Sequence, residues 1–133
     1  MKIFIDANII LDFLDTNRVK HNIASQLFKS INFNHYELFI SEDMLTNIFY
    51  ISEDKKQTLR FFKTIQYKWK ITHFGDKVIK GAIDLSLEKN LDLEDVLQCL
   101  CAKKNNCDVL ITSDKYFYDC GVKIQTASEF LND

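Results

Sequence analysis

Two short apolar runs constrain this chain more than anything else in it. Ile3-Phe4-Ile5 and Asp108-Val109-Leu110-Ile111-Thr112, the second with an unbroken apolar centre, are too short for a helix. A strand with one wet face alternates apolar and polar residues, so an unbroken run reads as a strand buried on both faces. Such strands need helices on both sides of the sheet. The intervening segments supply them. Ile9, Ile10, Leu11, Phe13 and Leu14 have helical spacing, and Ala24, Leu27, Phe28 and Ile31 line one face of a helix over 23–33. After a strand at Glu37 to Ile40, Ser41 reads as an N-cap, with Glu42 and Asp43 in the first turn. That helix carries Leu45, Ile48, Phe49 and Ile51.

The second half of the chain continues the alternation. A helix over 54–70 presents Leu59, Phe61, Phe62, Ile65 and Trp69, with Lys55, Lys56, Arg60, Lys63, Lys68 and Lys70 outward. Ile71 to Phe74 is a brief extended piece. A helix over 76–89 turns Val78, Ile79, Ala82, Ile83 and Leu87 inward, and one from Asp92 turns Val96, Leu97, Leu100 and Cys101 inward. Val122 to Ile124 is a last short strand before a helical turn near 127–131. The expected fold is one α/β domain over residues 1–133, a three-layer α/β/α arrangement with a central, mostly parallel sheet.

Composition excludes several classes. At 47% hydrophobic and 27% charged, the chain matches ordinary globular domains and neither disordered nor collagen-like ones. No apolar run approaches the roughly 20 residues that span a bilayer, so no membrane role is expected. Asp6 stands where a secretion signal would be apolar, which points to the cytoplasm. Lys+Arg is 17 against Asp+Glu 19, a net charge of −2. That balance does not mark a nucleic-acid binder, although a local patch matters more than the total. Cys99, Cys101, Cys107 and Cys120 match no zinc-site spacing and are expected to be free, buried thiols.

In parallel sheets the ligand site lies beyond the carboxyl ends of the strands. The first strand ends in Asp6, and the late apolar strand runs into Thr112-Ser113-Asp114. The helix before that strand begins Asp92-Leu93-Glu94-Asp95, at the same edge if the strands are parallel. Three segments thus bring carboxylates to one rim. Crowded carboxylates repel unless a cation neutralises them, and hard oxygen ligands suit Mg²⁺ or Mn²⁺. Such a cation lowers the pKa of a bound water and polarises a phosphodiester. Asp92 is the natural N-cap of its helix and Glu94 a solvated first-turn charge, which leaves Asp95 for the cation. Asp12 and Asp15 read as surface residues.

The same residues carry a resemblance. Ile3-Phe4-Ile5-Asp6-Ala7-Asn8-Ile9-Ile10-Leu11-Asp12 resembles the opening motif of PIN-domain nucleases. Leu91 to Gln98 is similar to that family's third acidic motif, and Asn106 to Phe117 to its closing strand and acidic turn. The three occur in the family's order and span nearly the whole chain. The resemblance implies that Asp6, Asp95 and Asp114 are catalytic and hold the metal, with Asn8 supporting Asp6. Many small members are VapC-type toxins, endoribonucleases held inactive by an antitoxin protein, so RNA, an antitoxin and a homodimeric partner are implied. The pattern is broken in two places. Asn47 occupies the place of a usual Glu, and Tyr116 that of a second closing acid. Asp43, one helical turn before Asn47, is the carboxylate that stands nearest to replace the missing one. Lys115, beside Asp114, is placed to touch a phosphate. Two other readings stay open: a non-catalytic PIN-like module binding RNA or protein, and a phosphoryl-accepting receiver-like domain.

Overall fold

The computed structural model describes residues 1–133. Its centre is β1 (Lys2–Ile5), flanked by β2 (Glu37–Ser41) and β4 (Val109–Ile111). With β3 (Lys70–Thr72) and β5 (Lys123–Gln125) at the edges, the sheet order is β3-β2-β1-β4-β5 and every pairing is parallel. Phe4 stands opposite both Phe39 and Leu110, so the apolar runs sit in one register. Ile3, Phe4, Ile5, Leu110 and Ile111 are fully buried. The sequence order reverses between β1 and β4, which makes the gap above their carboxyl ends the topological switch point.

Seven helices cover the sheet and set that rim. They are α1 (Ala7–Leu14), α2 (His21–Phe33), α3 (Glu42–Ile51), α4 (Lys55–Ile65), α5 (Gly75–Lys89), α6 (Leu93–Lys104) and α7 (Ala127–Leu131). Each parallel connection returns through helical structure, so α1, α3 and α6 present their N-termini at the edge where β1, β2 and β4 end. Asp54 caps α4 through the Gln57 N–H, and Thr126 with Glu129 forms a capping box on α7.

Several sequence expectations are corrected. The helix over 54–70 stops at Ile65, because the chain turns at 66–69 to bring Lys70 into the sheet. Trp69 then stacks on Phe28 at 5.6 Å instead of extending the helix. On α5 only Val78 and Ala82 are buried, while Ile79 and Ile83 are partly exposed and Leu87 is open to solvent. The reason is that α5 packs chiefly on α6 and not on the sheet, so one narrow edge of its apolar stripe is covered. Leu59 and Ile51 are likewise exposed on outer helices. Asp12, read as a surface residue, is buried and paired with Arg18 at 2.8 Å, where the chain after α1 folds back over it. Not all four cysteines are free. Cys99 and Cys120, with Cα atoms 6.0 Å apart, form a disulfide, and only Cys101 and Cys107 are free and buried. The segment between β4 and β5 lays Cys120 against α6, a proximity that sequence spacing does not reveal.

The central register gives a stability prediction. Leu110 is buried at 0% exposure between β1 and β5. Leu110→Ala is expected to cost about 2–5 kcal/mol through lost burial and a residual cavity. Urea denaturation followed by circular dichroism measures it.

Candidate active site

The rim is built around Asp6, the residue that leaves β1. Its backbone N–H still bonds the Ile111 carbonyl at 3.0 Å, so it is fixed to β4 as well as β1. As N-cap of α1 its side chain accepts from the Ala7 N–H at 2.9 Å. The other carboxylate oxygen accepts from the Thr112 hydroxyl at 2.7 Å. Burial raises the Asp6 pKa above the usual carboxylate range, and the charges of Asp114 and Asp43 add to the rise; Thr112 and Ala7 oppose it.

Thr112 also fixes the next acid. Its hydroxyl oxygen accepts from the Asp114 N–H at 3.1 Å, and the Asp114 carboxylate accepts from the Tyr116 N–H at 2.9 Å. The turn after β4 therefore holds an exposed carboxylate beside Asp6. The third acid comes from α6. Asp92 is its N-cap, accepting from the Asp95 N–H at 3.1 Å, as expected. Asp95 lies in the first turn with its carboxyl pushed up to about 6, by burial first and then by Asp92, Asp114, Asp6 and Glu94. Asp6, Asp95 and Asp114 thus lie within reach of one another's charge.

The α3 side of the rim differs from the sequence reading. Ser41 sits at the N-cap position of α3, but its hydroxyl donates to the Asp43 carboxylate and caps nothing. Gln98 of α6 donates from Nε2 to both Asp43 oxygens at 3.3 Å. Asn47 donates from Nδ2 to Glu94 Oε1 at 3.3 Å. Glu94, expected as a solvated first-turn charge, is exposed there, and partial burial together with Asp6, Asp43 and Asp92 raises its pKa. Asn8 makes no hydrogen bond to Asp6. Its Oδ1 is buried without a hydrogen-bond partner. Lys115 is exposed next to Asp114, and Tyr116 projects into solvent.

Thr112 and Gln98 are the rim residues that sequence reasoning missed. A hydroxyl one position beyond a buried strand was the available signal for Thr112. Helical geometry offered one for Gln98, a polar residue among inward positions of α6.

No rim acid has a Lys or Arg partner; the chain's ion pairs involve Asp12, Asp84 and Asp133. No three His, Cys, Asp or Glu side chains converge into a ready metal cage. The donor chemistry nevertheless fits a hard cation: oxygen ligands only, uncompensated negative charge, and carboxyls raised by one another.

Comparison with known proteins fits this geometry. The sequence profile of the family described as PIN domain matches residues 3–123. The chain belongs to the PIN-domain family. Ribonuclease VapC1 of Aquifex aeolicus (strain VF5) is 35% identical over 133 positions, covering 97% of this PIN chain and 92% of that protein. In fold, this PIN domain is similar to Mycobacterium tuberculosis VapC20, a toxin that cleaves the Sarcin-Ricin loop. The TM-score is 0.73 at 13% identity, over 90% of this chain and 95% of that one. VapBC2 from Rickettsia felis, solved with a DNA fragment from its promoter, gives 0.70 at 15% identity, over 95% and 98%. PIN membership and the sheet order leave no place for the receiver-like reading.

Two titration experiments test the electrostatics. A carboxyl raised from 3.8 to about 6 keeps its proton in the folded chain while the unfolded chain releases it. Stability of chelator-treated protein should therefore fall as pH rises from 3.8 to about 6, and Asp95→Asn should flatten that fall. Thermal melts across this range measure it. In the second experiment, Thr112→Val removes a donor that favours the Asp6 anion. Carboxyl-carbon NMR should then find the Asp6 pKa higher still.

Proposed function

We infer that this chain is an endoribonuclease of the VapC type, hydrolysing RNA phosphodiester bonds with Mg²⁺ or Mn²⁺ at the rim of Asp6, Asp95 and Asp114. The observation that carries this reading is the meeting of acids from three separate segments above the β1–β4 gap, with no basic side chain to neutralise them. A relative named as a ribonuclease, aligned along almost the whole chain, supports the same reaction class. The whole of residues 1–133 acts as one unit in the cytoplasm. Its partners are RNA, an inhibitory antitoxin protein and a second copy of the chain.

The residues divide the work. Asp6 is the fixed floor of the site, held by Thr112 and Ala7 so that its charge does not swing away. Asp95 and Asp114 approach from α6 and from the turn after β4, and with Asp6 they hold the cation. A divalent cation at this place supplies Lewis-acid polarisation of the phosphodiester and lowers the pKa of water. Asp43 adds negative charge at the α3 side. Asp92 keeps the first turn of α6 in place through its cap, and Lys115 is free to meet a phosphate of the RNA backbone.

Purified protein should cleave single-stranded RNA with Mg²⁺ or Mn²⁺ and stop when EDTA is added. Equal cleavage in EDTA refutes the metal requirement, and no cleavage under any metal condition favours a binding module. Asp95→Asn should abolish cleavage while preserving the fold. Asp92→Asn should retain most of it, because Asn caps a helix about as well as Asp.

A further inference from the structure

The four cysteines do not behave alike. Cys101 and Cys107 are free and buried, and burial pushes their thiols up to about 11 and about 12, too high to react as thiolates. Cys99 and Cys120 are joined. Cys99 is fully buried on α6, whereas Cys120 is partly exposed, so the bond is reached from the Cys120 side. In the cytoplasm, where the proposed function puts this chain, disulfides are rare and usually transient, serving catalysis or redox sensing.

The two elements that the bond joins each carry a rim acid. Cys99 stands four residues after Asp95, on the same face of α6. Cys120 belongs to the segment between β4 and β5 that also carries Asp114. From Ser113 to Val122 that segment has no helix or strand, and most of its hydrogen bonds close on itself or on Thr112. Two reach another element, and both are at Cys120. Its N–H donates to Cys99 Sγ at 3.2 Å, and its carbonyl accepts from Lys103 Nζ at 3.3 Å. Otherwise the segment is held chiefly by the packing of Phe117 and Val122.

We propose that Cys99 and Cys120 are a redox switch on the acidic rim. Oxidised, the pair holds the Asp114 segment against the face of α6 that carries Asp95. Reduced, it releases that segment, and the rim holds its cation more weakly. Closure starts when the Cys120 thiolate attacks one sulfur of a low-molecular-weight disulfide such as oxidised glutathione and expels one thiolate. The Cys99 sulfur then attacks Cys120 Sγ and expels the second. Two electrons pass from the cysteine pair to the external disulfide, and the two protons lost by the cysteines end on the two released thiols. Excess reduced thiol runs the exchange backwards. The inference rests on the reading of this chain as a cytoplasmic nuclease with its cation at Asp6, Asp95 and Asp114.

Thiol counting and Mn²⁺ calorimetry on the full chain test it. After equilibration with oxidised glutathione, two thiols should be free; after an excess of reduced glutathione, all four should be. With the glutathione removed, the oxidised protein should bind Mn²⁺ at least about 10-fold more tightly than the reduced protein, the scale seen when groups that orient metal ligands are lost. RNA cleavage should follow the same order and recover on reoxidation. Cys120→Ser should match the reduced protein after either treatment. Four free thiols under every condition would show that no bond forms, and a bond that survives excess reduced glutathione would be a permanent staple; either result overturns the switch. So does equal Mn²⁺ affinity in the two forms, or an affinity that still responds to glutathione in Cys120→Ser. In those cases an oxidised protein that binds Mn²⁺ and cleaves RNA leaves the nuclease reading standing. If neither form binds Mn²⁺ or cleaves RNA, the nuclease reading falls and takes the switch with it.

Discussion

The hydrogen bond from Thr112 to Asp6 is the interaction on which the rest of the site depends. It spans the gap between the two central strands at 2.7 Å, at the one point where the sheet order reverses. Through it a half-buried carboxylate stays at the floor of an open rim without a cationic partner. The same hydroxyl oxygen accepts from the Asp114 N–H, so one side chain sets the spacing of two acids. A Val at this place would remove the link between the two acids and leave Asp6 only the Ala7 N–H and Asp114 only the Tyr116 N–H.

Around that bond, the fold concentrates negative charge and withholds the means of neutralising it. Lys115 stands beside Asp114 without pairing to a rim acid, and several other basic residues lie along α4, while the rim collects acids from the end of β1, α3, α6 and the turn after β4. Asp6, Glu94 and Asp95 each carry a raised pKa in which burial is the first cause. Stability is given up locally to keep such groups together, a pattern that belongs to binding and catalytic sites more than to structural ones.

Much of the architecture was legible in the sequence because its signals are periodic. Ile3 to Ile5 and Val109 to Ile111 announced buried strands, and parallel pairing followed from the helices between them. Asp6, Asp95 and Asp114 could be found from strand ends and a helix start, and Asp92 was separable as a cap because helix termini demand one. What stayed hidden depends on contacts between distant segments. The exposure of Ile83 and Leu87 reflects where α5 lands, the Cys99–Cys120 pair reflects the path of the β4–β5 segment, and the burial of Asp12 reflects the folding back of Arg18. The contact of Glu94 with Asn47 stayed hidden for the same reason. Position in a helix first turn says that a charge is favourable there, but only the neighbouring helix shows what the charge faces.

The topology also orders events in time. Asp6 and Thr112 lie 106 positions apart, and β1 gains its β4 neighbour only when the last quarter of the chain is present. A nascent chain that has made β1, β2 and the first helices holds Asp6 at an open sheet edge, with neither its hydroxyl donor nor Asp95 or Asp114 beside it. Non-local strand pairing of this kind closes late, after long loops have been ordered. The acidic rim is thus among the last parts of the fold to assemble. A chain interrupted before residue 109 carries Asp6 but neither Thr112 nor Asp114, and so cannot assemble the rim.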